Sequence, residues 1–132
     1  MKAMHISAAG LKAQGQRMRV IAENLANTNS LAKSPGADPY RRKMMSFRNV
    51  LDRVLGIQKV EVDRMMVDKT DFAIRFEPGH PAADASGYVK LPNVNPLIEM
   101  ADMRESQRSF EANLTSIEVS KSMMSRLLDL LR

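Results

Sequence analysis

The chain has 132 residues, room for about one domain, and is 44% apolar with 11 Met, four Phe, two Tyr and no Trp. That apolar content excludes wholesale disorder, and the absence of Cys removes disulfides, thiolate nucleophiles and cysteine-ligated metals together. The formal charge of +5 is concentrated in the front half, and the flexible methionines suit adaptable contacts better than a rigid pocket wall.

The first thirty residues carry Lys12, Arg17, Arg19 and Glu23 where a secretory signal needs an uninterrupted apolar stretch of about 7–15 residues. No apolar run reaches the roughly 18 residues of a transmembrane helix, so the expectation is a soluble chain without a cleaved signal or a transmembrane segment. Met4, Leu11, Met18 and Leu25 recur every seventh residue, with Met1, Ala8, Gly15 and Ala22 at the alternate seam positions. This a/d pattern predicts a helix in which one row is large and the other small enough for a neighbouring backbone to come close. Ile21 and Ala26 widen the stripe toward more than one partner helix. Gly10 and Gly15 weaken the helix by roughly 1 kcal/mol each, and Asn27-Thr28-Asn29-Ser30, followed by Pro35 and Gly36, ends it. The predicted span is about 7–27, with a first turn that can reach back toward Lys2.

Residues 31–95 change character. Met44–Val50 reads as a strand, and Ile57–Val67 and Asp71–Phe76 read as two more, joined through Asp68-Lys69-Thr70 as a hairpin. Glu77-Pro78-Gly79-His80-Pro81 ends that order, and Gly87-Tyr88-Val89 leads toward Leu91-Pro92. This is a projecting two- or three-strand element, too small to bury a large core.

The rear segment opens at Asn95-Pro96, a capping asparagine followed by a proline at the first helical position. Glu99 and Asp102 then lie near the positive end of the helix dipole. Met103, Phe110, Ile117, Met124 and Leu131 repeat every seven residues, flanked by Met100, Leu114 and Leu128 in a row that Gln107 and Lys121 interrupt. No Gly or Pro follows Leu97, so this helix extends for about 50 Å. Its last turns, with Met123, Met124, Leu127, Leu128, Leu130 and Leu131, are apolar around more than half the circumference, more than one antiparallel partner can cover. The fold class is therefore α+β: long terminal helices packed as a coiled-coil layer over residues 1–30 and 96–132, and an extended central segment with a small β-hairpin or arm over 31–95.

Little in the chain nominates chemistry. His5 and His80 lack partners at metal-binding spacing. Asp63, Asp68, Asp71 and Glu77 have no cavity around them to shift their pKa values and read as solvated strand faces. Gly10 and Gly15 lie in a helical pattern without the basic residue of a phosphate loop. Arg41-Arg42-Lys43, near Tyr40 and Phe47, is the one feature that nominates nucleic acid. With no recognition helix or stacking platform beside it, a solvated or intersubunit basic turn is the better reading. No catalytic, cofactor or metal residue and no specific nucleic-acid partner is expected; the competing readings are a generic coiled-coil adaptor and a basic nucleic-acid-binding module.

The run SAAGLKAQGQRMRVIAENLANTNS resembles the N-terminal signature of the bacterial flagellar rod and hook axial proteins. PYRRKMMSF at 39–47, GHPAADASGYVKLPNVNPLIEMADM at 79–103 and SQRSFEANLTSIEVSKSMMSRLLDL at 106–130 resemble the short proximal-rod members of that family, whereas other members insert larger central domains. The matching positions are Asn24, Ala26 and Asn27 at the end of the first helix, then Gly87, Tyr88, Val89, Pro92, Asn93, Val94 and Asn95, and then Glu99, Met100, Met103, Arg108, Glu111, Ala112 and Asn113. Residues 31–38 depart from the commoner Thr-rich turn with Gly-Gly-Pro-Tyr. The resemblance implies a structural subunit of the basal-body rod, the drive shaft crossing the periplasm, exported by the flagellar type III apparatus without cleavage. It further implies terminal helices layered around the export channel and a central β segment facing outward. The implied partners are copies of the chain, other proximal rod proteins, the adjacent distal rod and MS-ring or export-gate components.

Overall fold

The computed structural model describes residues 1–132. The first helix, α1, spans Lys2–Ala26 and starts at the early limit of the predicted range. It stops where Asn27 turns back: the Asn27 carboxamide donates to the Glu23 carbonyl at 2.8 Å, and the Thr28 hydroxyl to that of Leu25 at 2.8 Å. Side chains thus satisfy carbonyls that a helix end leaves open.

Strand β1, Lys43–Asp52, pairs antiparallel with β2, Ile57–Val67, from Lys43 opposite Val67 to Asp52 opposite Ile57, with a bulge between Ser46 and Phe47. The turn is Arg53–Gly56. Asp52 accepts hydrogen bonds from the Val54 and Leu55 amides at 3.1 Å and pairs with Lys59 at 2.8 Å, while Gly56 takes φ +65°. The hairpin therefore joins β1 to β2, and the connection expected through Asp68-Lys69-Thr70 does not exist. Those three residues form a turn in which Asp68 accepts from the Thr70 amide and hydroxyl. The Asp71–Phe76 run shortens to β3, Ile74–Phe76, which pairs with β4, Tyr88–Lys90, as a second ribbon. Gly87 enters β4 at φ +84°, and a Cβ there would lie 2.8 Å from the Phe76 ring, so the turn requires glycine twice over.

Helix α2 runs Pro96–Leu130, 35 residues or roughly 52 Å. Asn95 caps it, accepting from the Leu97 amide at 3.1 Å, and Pro96 takes the first position as the sequence predicts. The two helices are antiparallel: Ser7 meets Ser116, and Arg17 lies between Asp102 and Glu105. α1 is sandwiched between α2 and the β1–β2 hairpin, and neither ribbon packs on α2.

The core is correspondingly thin. Ala13, Val20, Ile21, Ile57 and Val89 are its buried apolar side chains, and only 13 of 132 residues are buried at all. The surface of 9,295 Å² compares with about 7,000 Å² for a compact monomer of this mass. The excess is what two extended helices leave uncovered. No helix is long and apolar enough to cross a membrane.

Candidate assembly interface

The junction of α1, β1 and α2 is organised by a few polar side chains. Asn24, on the last full turn of α1, is buried; its carboxamide donates to the Lys43 carbonyl at 2.9 Å and accepts from the Lys43 amide at 2.9 Å. It thus hydrogen-bonds the start of β1 as a strand neighbour would. The Tyr40 hydroxyl donates to the same Asn24 oxygen at 2.7 Å, and burial, then the Glu23 charge, raises the Tyr40 pKa. On the other side stands Glu99 of α2, fully buried, with Oε2 3.4 Å from Asn24 Nδ2.

Glu99 is balanced by Arg42, whose Nε donates to Oε1. The same guanidinium lies 3.4 Å from Asp68 and 3.8 Å from Asp102. Burial alone would lower the Arg42 pKa, but hydrogen bonding to Glu99 and the nearby carboxylate charges more than offset it. Asn93 accepts from the Arg42 amide at 2.7 Å and donates to the Asp68 and Thr70 carbonyls. Arg41 donates to those carbonyls too and lies 4.2 Å above the Phe72 ring, and Lys43 pairs with Glu23. The basic triplet is thereby absorbed into ion pairs and backbone contacts, the opposite of a free phosphate-binding patch. Asp63 faces Arg48 and Arg64, and Glu77 pairs with Arg75.

Along the helix pair the tightest approach is at Gly10. A Cβ there would lie 2.7–2.9 Å from the Asn113 carboxamide, which donates to the Ser109 carbonyl. One turn earlier the Ser7 hydroxyl donates to that of Ser116 at 3.0 Å. The tightest part of the intramolecular seam is therefore small and polar, with Ser7 and Gly10 against Ser116 and Asn113, while Val20 and Ile21 add buried apolar side chains farther along α1. The row read as the small side of the seam, with Gly15 at its centre, points elsewhere: a Cβ on Gly15 meets nothing within 4 Å.

The large apolar rows flank this seam. Met4, Leu11, Met18 and Leu25 are half-buried, as are Met103, Phe110, Ile117 and Met124, and Ile21 is buried. Leu114, Leu128 and Leu131 are exposed, at 42%, 57% and 84%. Of all its side chains, α2 buries only Glu99 and Ser106. Beyond the N-terminus of α1 its last turns stand free, with Met123, Leu127 and Leu130 exposed as well.

The signature positions separate into two groups. Asn24, Asn93 and Glu99 meet at the junction; Asn27 and Asn95 cap helices; Gly87, with Tyr88 edge-on to Phe76 at 5.3 Å, shapes the second ribbon; Pro92 is buried; and Asn113 seats Gly10. Ala26, Glu111 and Ala112 make no such contact and face solvent. Sequence reasoning did not assign Tyr40, Arg42 or Asp68 to this junction, although the basic triplet itself was visible.

A shallow groove of about 490 Å³ between α1 and β2 is lined by His5, Lys12, Gln16, Lys59 and Glu61 together with small apolar side chains. Residues 85–130 match the sequence model of the family described as Flagellar basal body rod FlgEFG protein C-terminal. The chain is 48% identical to the flagellar basal-body rod protein FlgC of Agrobacterium fabrum, over 98% of this chain and 94% of that one. It is 37% identical to the FlgC of Bacillus subtilis, over 96% and 95%, and 38% identical to that of Escherichia coli O157:H7, over 95% and 92%.

Proposed function

The chain belongs to the FlgC family of flagellar basal-body rod proteins, and from that premise we propose that its helix pair is one subunit's share of the wall of the proximal rod. It is a structural axial subunit, not an enzyme, and it assembles with other rod proteins. The proposal adds the position and the neighbours: copies of the chain, other proximal rod proteins, the adjacent distal rod, and MS-ring or export-gate components. The helices surround the export channel, residues 31–95 face outward, and the chain reaches the periplasmic rod through the flagellar type III apparatus without cleavage.

The observation that carries this reading is the uncovered apolar surface of α2. A shaft that transmits torque needs many lateral contacts that do not slide, and apolar side chains repeated along 35 residues offer them at every turn. Burying a leucine stabilises an interface by about 1.5–3 kcal/mol, so several such rows in each of many subunits resist shear together. The junction at Asn24, Arg42 and Glu99 fixes the direction in which α2 leaves the hairpin.

The test is to follow the Leu128→Asp chain, whose substitution lies in the free last turns of α2. Secretion is expected to continue while incorporation into isolated basal bodies is lost. Wild-type incorporation of this chain, or intact rods in cells from which the protein has been deleted, contradicts the reading.

A further inference from the structure

Three contacts along the helix pair share one register. Ser7 meets Ser116 and Gly10 meets Asn113; fourteen residues farther along α1 and fourteen back along α2, Asn24 meets Glu99. Fourteen residues are two heptads, so the helices stay in step over that length. Most of what lies along the pair repeats every seven residues, and survives a slide of α2 by one heptad, about 10.5 Å. Met4, Leu11, Met18 and Leu25 on α1, and Met103, Phe110, Ile117 and Met124 on α2, are half-buried rows of that period. A slide lays each large side chain where another stood. The small residues repeat likewise. Ser109 precedes Ser116 by one heptad, so a slide in that direction again sets a hydroxyl opposite Ser7. Ser106 and Ser120 stand seven residues to either side of Asn113, and both are smaller than the asparagine that Gly10 already accommodates.

The middle of the pair does not choose a register either. Gln14 lies level with Ser109, and its Oε1 atom is buried without a hydrogen-bond partner, which is a cost of the native register and not a reason for it. Arg17 reaches Asp102 and Glu105 only at 4.0 and 3.6 Å, and the Glu105 side chain is 70% exposed, so these pairs hold weakly.

Glu99 has no such equivalent. It is fully buried, its Oε1 accepts from Arg42 Nε, and its Oε2 lies 3.4 Å from Asn24 Nδ2. One heptad away in the chain on either side are Pro92 and Ser106, neither of them charged. Any slide therefore parts the buried carboxylate from its cation, and breaking such a pair by removing one partner is strongly unfavourable.

We infer that Glu99 is the register pin of the helix pair: held by Arg42 and Asn24, it selects one of several near-equivalent registers a heptad apart, and without it α2 slips along α1. The favoured slip draws α2 toward the C-terminus of α1, because it brings Met123 opposite Ser7 and covers part of the exposed last turns. The inference concerns the single chain and goes beyond the rod-subunit reading. Under that reading, a slipped subunit presents its exposed leucines about 10.5 Å out of line with those of its neighbours.

The chain has no cysteine, so paired cysteines read the register directly. Three full-length chains carry Ser7→Cys together with Ser116→Cys, Met123→Cys or Ser109→Cys, and the extent of the intramolecular disulfide is measured in a glutathione buffer. The Ser7 and Ser116 hydroxyls are 3.0 Å apart, within reach of a bridge. Positions 109 and 123 lie about 10.5 Å along α2 from position 116, beyond the Cα separation of about 7 Å that a disulfide spans. With Glu99 in place, only the bridge to position 116 is expected above the level that the same chains show in urea. Glu99→Leu with Arg42→Met is then added to each chain, a pair of substitutions that fills the site without leaving a lone charge. The bridge to position 123 is expected to rise at least tenfold and the bridge to position 116 to fall. A bridge to position 116 that persists, with no gain at position 123 or 109, overturns the inference. So does a fall of all three bridges to the urea level, which shows that Glu99 holds the fold and not its register.

Discussion

A carboxamide at position 24 takes the place of a ladder neighbour for Lys43, and a buried carboxylate at position 99 holds that carboxamide on one side and Arg42 on the other. Such a cluster is costly to break by halves, because removing one partner leaves the remaining polar groups buried and unpaired. Glu99→Ala is therefore expected to lower the unfolding free energy by about 3 kcal/mol, measured by denaturant titration, with the Glu99→Leu, Arg42→Met double variant closer to wild type. A single variant within about 0.5 kcal/mol of wild type would deny the cluster its structural role. Acid tests the same region. The hydroxyl and amide of Thr70, with Arg42, hold the Asp68 carboxyl below the usual aspartate range, and Lys59, with the Leu55 amide, does so for Asp52. A carboxyl depressed on folding stabilises the fold above its unfolded pKa and loses that contribution as pH falls through its folded pKa. Stability should thus decline on acidification below about pH 4, and less steeply in Asp68→Asn. An unchanged slope in that variant would show that Asp68 contributes nothing to the acid dependence.

At the scale of the elements, the two glycines of α1 separate helix propensity from helix packing. Gly15→Ala meets open space and should stabilise the chain by about 0.5–1 kcal/mol. Gly10→Val drives a side chain into Asn113 and should destabilise it by about 1–3 kcal/mol. Thermal unfolding of the two variants checks both, and shifts of the same sign would place the helix contact elsewhere. The helices were legible in the sequence because seven-residue periodicity, Asn95-Pro96 and Asn27 are local signals. The pairing of the strands was less so. Arg53-Val54-Leu55-Gly56 lacks the polar dipeptide of a tight hairpin and instead turns on the Asp52 side chain, whereas Asp68-Lys69-Thr70 has turn composition but uses it to hold Arg41 and Asn93. The small-residue side of the seam was misplaced for a related reason. The large heptad rows are half-buried along the helix pair, but the closest approach is at Ser7, Gly10 and Asn113, which carry no hydrophobic signal.

For the whole molecule, the apolar side chains of α2 that the helix pair leaves uncovered matter most. The rows through Met4, Leu11, Met18 and Leu25 and through Met103, Phe110, Ile117 and Met124 are half-buried within the chain, whereas Met100, Leu114, Leu127, Leu128, Leu130 and Leu131 stay exposed and available to others. The junction residues Asn24, Asn93 and Glu99 stood out in the sequence as part of a resemblance, yet their partners Arg42 and Asp68 depend on long-range folding that no local pattern displays. The free end of α2 has consequences before assembly as well. Residues 125–130 are exposed throughout, so their amides in the dilute monomer should exchange rapidly, at rates near those of an unstructured peptide, and become protected in the rod. Strong protection in a verified monomer would mean that the segment needs no partner to be ordered. The most direct measurement uses the absence of native cysteine: single Leu114→Cys, Val119→Cys and Leu128→Cys chains are treated with a thiol-reactive probe, first as monomer and then in intact basal bodies. Rapid labelling of all three in the monomer and protection of all three in the rod are expected; equal labelling in both states would contradict the burial of these rows between subunits.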